Sequence, residues 1–155
     1  MIPRAHGYLA EADRPAIVSP LYYNAAGIYY EQNAPIVLPK WRECGALGAT
    51  LHSALQHFSM RDQNLRESKK TEWPSYLASH CRSVREFEST YLCIAVQSVN
   101  AAEQFLDASV QPHGGKPNIS LHITINAHAS DEKKAQQLVK LFDAATRFVS
   151  VCPPI

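Results

Sequence analysis

Residues 119–127, ISLHITINA, alternate apolar and polar side chains, and this alternation constrains the fold more than any other stretch of the chain. Successive side chains of a β-strand point to opposite faces, so the apolar residues would share one face and the polar residues the other. The polar residues are Ser120, His122, Thr124 and Asn126. The pattern predicts a strand with one face in a core and one face in contact with solvent or a partner.

A second strand signal lies near the start of the chain. The stretch AIVSPLYYNAAGIYYEQ contains two strand-like runs, at about residues 17–23 and 27–31. Asn24 opens the turn between them, and Gly27 stands where a left-handed backbone is needed, which predicts a β-hairpin. Alternation sends two of its four tyrosines to each face of the hairpin.

The second half of the chain contains one clear strand and one ambiguous stretch. Residues 91–99, YLCIAVQSV, are apolar on both faces for most of their length, as in a strand buried in the middle of a sheet. In residues 100–118, FLDASV is compatible with a strand and HGGKPN has the composition of a turn.

Two segments have the periodicity of amphipathic helices. Residues 41–59 carry an apolar stripe that repeats about every 3.6 residues. This stripe consists of Leu47, Leu51, Ala54, Leu55 and Phe58. Ser130 caps a last helix, with Asp131 and Glu132 in its first turn, where the helix dipole favours anions. Its apolar stripe consists of Ala135, Leu138, Val139, Phe142, Ala145 and Val149.

The chain between these two helices begins with a polar stretch. Residues 61–74, RDQNLRESKKTEWP, indicate a solvated loop or a frayed continuation of the first helix. Ser83 and Glu86 then have the spacing of a capping box, which predicts a short helix that carries Phe87.

Together these elements predict an α+β fold, in which a mixed or antiparallel sheet with an N-terminal β-hairpin packs against two main amphipathic helices. We expect residues 1–155 to form a single domain, because no linker or internal repeat divides them. Residues 1–15 are expected to form an extended N-terminal arm, with regular structure beginning near Ala16.

Composition excludes several classes of function. A net charge of +1 provides no long-range field to recruit nucleic acid or an anionic membrane. The four cysteines lack metal-site spacing and are expected to be free thiols. They are Cys44, Cys81, Cys93 and Cys152. The chain has neither the apolar core of a signal peptide nor an apolar run of membrane-spanning length, so we expect a cytoplasmic protein.

One catalytic alternative follows from His122 and Thr124. Two-histidine phosphoesterases use two His-x-Ser/Thr motifs on separate strands, with one imidazole as base and the other as acid. His57 and Ser59 form a second such motif, but the helical stripe ends at Phe58 and therefore predicts that both lie on a helix. Residues i and i+2 of a helix point about 200° apart, so they could not both contact one phosphate.

Other sites of chemistry are not indicated by the sequence. It contains no G-x-S-x-G, Walker, G-x-G-x-x-G or H-E-x-x-H motif. The histidine spacings do not place two imidazoles together on one helix face or close together on one strand face. We therefore expect no catalytic residue, no metal, no cofactor and no small-molecule ligand.

An aromatic hairpin followed by a loop of mixed charge is typical of a protein-binding surface. Tyrosine on a rigid hairpin offers contact area at a small entropic cost, and charged side chains can pair across an interface. The predicted partner-binding residues are Tyr23, Tyr30, Arg61, Asp62 and Arg66. A protein-binding module of another kind remains an alternative on the same residues.

The order of these parts resembles a known family. An N-terminal hairpin precedes a helix with the pattern Leu-Gly-x-x-Leu-x-x-Ala-Leu from Leu47, and a short helix at residues 83–87 leads into strands and a final helix. Over about residues 17–147, the chain is similar to the immunity proteins of contact-dependent growth inhibition (CDI) systems.

The resemblance implies a small bacterial antitoxin of the cytoplasm that binds the C-terminal domain of a cognate CDI toxin, of nuclease type, and occludes it. It implies no chemistry and no cofactor in the immunity protein itself. Immunity proteins against nucleases are often acidic, whereas this chain is nearly neutral, so the resemblance does not extend to charge-driven inhibition.

Overall fold

The fold was analysed in a computed structural model that describes residues 1–11, 13–43, 45–110 and 118–151, with side chains up to residue 148. Its elements are β1 (Arg4–Leu9), β2 (Ala16–Tyr23), β3 (Tyr29–Glu31), β4 (Ile36–Leu38), α1 (Ala46–Gln56), β5 (Ser59–Met60), a 3₁₀ turn (Lys70–Glu72), α2 (Pro74–Ser79), α3 (Val84–Thr90), β6 (Leu92–Ser98), β7 (Glu103–Val110), β8 (Ile119–Asn126) and α4 (Asp131–Val151). None of the described helices is both long and apolar enough to cross a membrane.

The strands of the described chain form one eight-stranded sheet, which confirms the predicted α+β class. The strand order is β3-β2-β1-β6-β7-β8, and β4 and β5 also pair with β2. All pairs are antiparallel except that of β2 with β5, which is parallel. The stretch FLDASV lies in β7. Residues 113–117 of the predicted turn HGGKPN, and the thiols of Cys44 and Cys152, fall outside the described residues.

The first strand lies in the interior of the sheet. β1 pairs with β2 on one side and with β6 on the other, and Ala5, Tyr8 and Leu9 are buried. The expectation that regular structure begins near Ala16 is therefore wrong, although the arm is extended. Its polar residues Arg4 and His6 weaken the local strand signal, and pairing along both edges stabilises the strand instead.

Helices α1 and α4 cover one side of the sheet, which we call the first face. The core between them and the sheet includes the predicted helical residues Leu47, Leu51, Leu138 and Phe142, which confirms both apolar stripes. The predicted end of the first stripe is wrong, because α1 ends at Gln56. Phe58 lies beyond the helix, with its ring 5.9 Å from that of Tyr29. In α4, the side chain of Val149 is outside the described residues.

The opposite side of the sheet, the second face, is covered in part by α2 and α3. Phe87 of α3 packs with Tyr8 and Ile17, and the described thiols Cys81 and Cys93 are free. Ser83 caps α3 as predicted, because its Oγ accepts a hydrogen bond from the Glu86 amide at 3.1 Å.

The polar stretch of residues 61–74 was interpreted as a loop or a continuation of the first helix, and this is correct only for its first part. A 3₁₀ turn at Lys70–Glu72 leads into α2, which begins at Pro74. Proline fits the first turn of a helix because the amide it lacks would have no helical acceptor there.

The hairpin turn between β2 and β3 is built as the sequence predicts. The Asn24 side-chain oxygen accepts hydrogen bonds from the amides of Ala26 and Ile28, at 3.0 and 2.9 Å. Gly27 has a φ of 80°, a left-handed conformation that favours glycine. The second strand begins at Tyr29, two residues later than predicted.

A close approach of backbones joins α1 to the start of α4. A Cβ atom added at Gly48 would lie 2.0 Å from the carbonyl oxygen of Asp131, which no side chain could tolerate without movement of a helix. A Cβ added at Gly45, one turn earlier, would lie 3.4 Å from the Glu132 Cα. Glycine at position 48 therefore sets the distance between the two helices of the core.

A buried carboxylate holds β3 and α2 on the second face. The side chain of Glu31 is only 6% exposed. It accepts hydrogen bonds from the Tyr8 hydroxyl at 2.5 Å and from the Ser75 hydroxyl and amide at 2.6 and 3.1 Å. The His6 ring nitrogen lies 3.4 Å from it, and the Ser75 hydroxyl also lies 2.5 Å from that of Ser19.

These hydrogen bonds decide the charge state of Glu31. Burial by itself raises the pKa of the carboxyl, but hydrogen bonds from His6, Ser75, Trp73 and Tyr8 outweigh it and lower the pKa below its ordinary value. The group is therefore ionised at neutral pH, and its charge is stabilised by donors from β1 and α2.

Gly48→Ala is expected to lower the free energy of unfolding by about 1–3 kcal/mol, because the added methyl group overpacks the contact with Asp131. Urea unfolding followed by circular dichroism would measure the change. Gly45→Ala is the matched control and should stay within about 0.5 kcal/mol of the wild type. A Gly48→Ala protein as stable as the wild type would contradict the close approach.

Glu31→Gln is expected to lower the free energy of unfolding by about 1–3 kcal/mol at pH 7, because an amide cannot accept all of the hydrogen bonds that the carboxylate accepts. The folded-state pKa is lowered, so the stabilisation is present above the ordinary pKa of about 4.3 and is lost as pH falls through the folded value. Unfolding at pH 7 and pH 3 should therefore show a smaller difference at pH 3. Glu67→Gln, at an exposed position, is the control and should leave the free energy of unfolding at pH 7 within about 0.5 kcal/mol of the wild type.

Candidate functional site

The outer end of the β2–β3 hairpin and the chain that follows β5 form one exposed surface. We call it the hairpin surface and define it by Tyr22, Ile28, Tyr30 and Arg61. Tyr22 and Tyr30 are opposite each other in the strand pairing, with ring centroids 5.4 Å apart. Ile28, at the turn, is 48% exposed. Alternation from the buried Val18 places Tyr22 on the first face.

Arg61 is held against this tyrosine pair through its main chain. β5 pairs with the end of β2, and the Arg61 amide then donates to the Tyr23 carbonyl at 3.1 Å. The Tyr30 hydroxyl donates to the Arg61 carbonyl at 2.6 Å. The Arg61 backbone is therefore fixed by two hydrogen bonds to the hairpin.

The Arg61 side chain lies over a tyrosine ring. Its guanidinium carbon is 5.3 Å from the centre of the Tyr22 ring, within the range of a cation–π contact, and Nη1 is 3.5 Å from the Tyr22 hydroxyl. The residue is exposed, and its guanidinium carries five N–H donors.

The Tyr30 hydroxyl acts as a donor at neutral pH. Burial raises its pKa, and the nearby Arg61 charge opposes this shift without cancelling it. The phenol therefore keeps its proton and maintains the hydrogen bond to the Arg61 carbonyl.

The structure brings together some of the five predicted partner-binding residues. Tyr30 and Arg61 are in direct contact, and the Asp62 carboxylate accepts from the Ala25 amide at 3.4 Å. Tyr23 lies on the opposite face, with its ring 4.8 Å from that of Tyr29. Arg66 is exposed farther along the loop. Contact of these residues with a partner stays a prediction.

Two members of the hairpin surface were not predicted. Tyr22 was counted among the hairpin tyrosines, but the choice between the two faces could not be made without knowing which face α1 covers. The sequence did not indicate that Ile28 is exposed, because an apolar residue near a turn can equally well belong to the core. The strand register identifies Tyr22 as the partner of Tyr30.

His122 and Thr124 share a face of β8, as the alternation predicts. The His122 Nδ1 lies 2.6 Å from the Asp107 carboxylate, and Nε2 lies 3.0 Å from the Thr124 hydroxyl. The ring also packs edge-on against Phe105, at 4.6 Å between centroids. All of these contacts lie within the β7–β8 pair, which accounts for the motif as a cross-strand hydrogen-bonded chain.

The second motif, His57 and Ser59, lies elsewhere in the sheet. The prediction that both residues are helical is wrong, since His57 caps α1 and Ser59 begins β5 beside Tyr22. Three strands separate β2 from β8, which places those two strands about 19 Å apart at the usual strand spacing. The two motifs therefore do not form one active site, for a different reason from the one predicted.

An open cleft of about 900 Å³ lies near α3. Its lining includes the aromatic residues Tyr8, Trp73, Phe87 and Tyr91, together with Cys93. Burial raises the pKa of the Cys93 thiol to about 12, so this thiol is protonated and weakly nucleophilic at neutral pH. Within the described residues, no three His, Cys, Asp or Glu side chains lie close enough to hold a metal ion.

Two solved structures resemble this fold over nearly its whole length. A protein of unknown function from Neisseria meningitidis has a TM-score of 0.69 and 14% sequence identity, with 94% of this chain and 96% of that chain covered. A chain of the CdiA-CT/CdiI toxin and immunity complex from Yersinia pseudotuberculosis has a TM-score of 0.63 and 12% identity, with 92% and 98% covered. No protein-family model and no curated protein matches the sequence. At these identities the likeness shows a shared fold.

Proposed function

We propose that this protein is an immunity protein that binds a cognate CDI toxin domain and neutralises it by occlusion. The observation that carries the proposal is the likeness to a chain of a toxin and immunity complex, which extends over 92% of this chain and 98% of the other. A match of this extent concerns the whole fold rather than one motif. The order of elements in the sequence supports the same family independently.

The hairpin surface supplies the contacts that such a function needs. Tyrosine and arginine are, together with tryptophan, enriched among the energetic centres of protein interfaces. Here Tyr22, Tyr30 and Arg61 are held by hydrogen bonds and strand pairing, so little side-chain freedom would be lost on binding. A nanomolar affinity, about −12 kcal/mol, is within reach of an interface of roughly 1,600 Å² with a few such anchors.

The proposed inhibition needs no chemistry from the immunity protein. Occupying the toxin's active site, or the surface that binds its substrate, is sufficient. A toxin of nuclease type is the form that the family resemblance implies. With a net charge of +1, this protein would recognise the toxin through local contacts rather than through a long-range field.

The proposal predicts that the adjacent open reading frame encodes a toxin whose C-terminal domain copurifies with this protein, and that coexpression protects cells from growth arrest by that domain.

Ile28→Glu should weaken binding at least tenfold, because it places a charge in an interface core. Titration calorimetry with the toxin domain would measure the affinity.

Val37→Glu provides the matched control for Ile28→Glu. Val37 is 45% exposed, close to the 48% of Ile28, but it pairs with Ile17 at the other end of β2. Six residues of strand separate that position from Tyr23, a distance of about 20 Å. Wild-type affinity in both variants would argue against the hairpin surface, and a gene neighbourhood without a toxin frame would argue against the immunity function.

The phosphoesterase alternative predicts that the protein hydrolyses a cyclic phosphate, whereas the structure leads us to expect no hydrolysis. Because the two His-x-Ser/Thr motifs lie far apart in the sheet, we expect the purified protein not to hydrolyse a 2′,3′-cyclic nucleotide. Release of the monoester would be followed by chromatography. Turnover that is abolished in His122→Ala would restore the enzyme hypothesis.

A further inference from the structure

We propose that Arg61 is the principal anchor of the hairpin surface and that its guanidinium binds a carboxylate side chain of the protein partner. This inference rests on the proposed function, since it names the chemistry that the same surface recognises. It names a chemical group on the partner. The likeness of this fold to solved structures gives no information about that group.

The first argument is the fixed position of Arg61. Its amide and carbonyl are both hydrogen-bonded to the hairpin, at 3.1 and 2.6 Å, and its guanidinium lies over the Tyr22 ring. An arginine on an exposed loop usually loses much rotational freedom when it binds. Here part of that freedom is already lost in the free protein, which favours binding.

The second argument is the unused capacity of the guanidinium. An arginine carries five N–H donors in a planar fork that matches the two oxygens of a carboxylate. Arg61 directs Nη1 toward the Tyr22 hydroxyl at 3.5 Å, the long end of hydrogen-bond range. Arg61 is in none of the ion pairs found among the described residues, which are His6–Glu31, Arg42–Asp143, Lys70–Glu88 and His122–Asp107.

The neighbouring acidic residue, Asp62, is in none of the ion pairs of the described residues. The Asp62 carboxylate accepts from the Ala25 amide at the turn, at 3.4 Å. The guanidinium of this exposed residue therefore lies over the Tyr22 ring, which packs against the Tyr30 ring, and no carboxylate of the described residues is within ion-pair distance of it. A partner carboxylate would complete the pair, and the rings would partly exclude water from it.

A carboxylate is favoured over a phosphate of nucleic acid. Nucleic acid binding needs several cations arranged along a backbone, and a protein with a net charge of +1 lacks the field that this requires. An arginine stacked on one tyrosine, with a second tyrosine beside it, instead has the residue types that are enriched at the centres of protein interfaces.

The test measures affinity for the toxin domain encoded by the adjacent gene, by titration calorimetry with the full-length protein. Arg61→Gln should weaken binding about 30-fold or more. Arg61→Lys should weaken it about tenfold, because an ammonium group cannot pair with both carboxylate oxygens. Arg85→Gln removes the same charge from an exposed position on α3, which covers the second face, and should change affinity less than threefold.

The carboxylate itself is identified by exchanging each exposed Asp and Glu of the toxin domain for Asn and Gln. One exchange should weaken binding to the wild-type protein about as much as Arg61→Gln does, with little further loss when the two are combined. Equal urea unfolding of the Arg61 variants and the wild type would show that folding is intact.

Three outcomes would overturn the inference. Arg61→Gln could bind within threefold of the wild type, Arg85→Gln could weaken binding as much as Arg61→Gln does, or no toxin carboxylate could couple to Arg61. All three leave the immunity function intact, because each requires that the wild-type protein binds the toxin domain. A fluorescein-labelled oligonucleotide that binds the wild type but not Arg61→Gln would assign the guanidinium to phosphate and also overturn it. If the wild-type protein binds no toxin domain, the function and the inference fail together.

Discussion

The buried carboxylate of Glu31 is the interaction on which the position of the hairpin surface depends. Glu31 lies on β3, and it accepts hydrogen bonds from Tyr8 on β1 and from Ser75 on α2. A buried charge is costly unless donors surround it, so these bonds must form together for the fold to be stable. Because neighbouring residues of a strand face opposite ways, fixing Glu31 on the second face directs Tyr30 to the first.

The hydrogen bonds of Glu31 also help to explain why the first residues of the chain lie at the centre of the sheet. β1 supplies Tyr8 and His6 to the carboxylate from one face, and on the other face it contributes Ala5 and Leu9 to the core under α1 and α4. It also separates the part of the sheet that carries the hairpin from the β6–β8 meander. A strand with these two roles cannot consist of uniformly apolar residues, which is why its pattern is weak when read alone.

Patterns that depend on neighbouring residues could be predicted from the sequence. The apolar stripe of α1 as far as Leu55, that of α4 as far as Ala145, the turn at Asn24 and Gly27, and the cap at Ser83 were confirmed. β4, β5 and α2 were not predicted, because each is short and is stabilised by contacts with β2. The contact of Tyr30 with Arg61 depends on the parallel pairing of β5, and two paired residues leave no periodic signal in a sequence.

A nearly neutral immunity protein would have to secure its partner by slow dissociation. Without a long-range field, association of two proteins proceeds at about 10⁵–10⁶ M⁻¹s⁻¹. A nanomolar complex formed at that rate dissociates at about 10⁻⁴–10⁻³ s⁻¹, so contacts that resist separation matter more than those that steer the encounter. Arg61, stacked on Tyr22 beside a hairpin anchored by Glu31, would suit this regime, because its position in the free protein would need little rearrangement in the proposed complex.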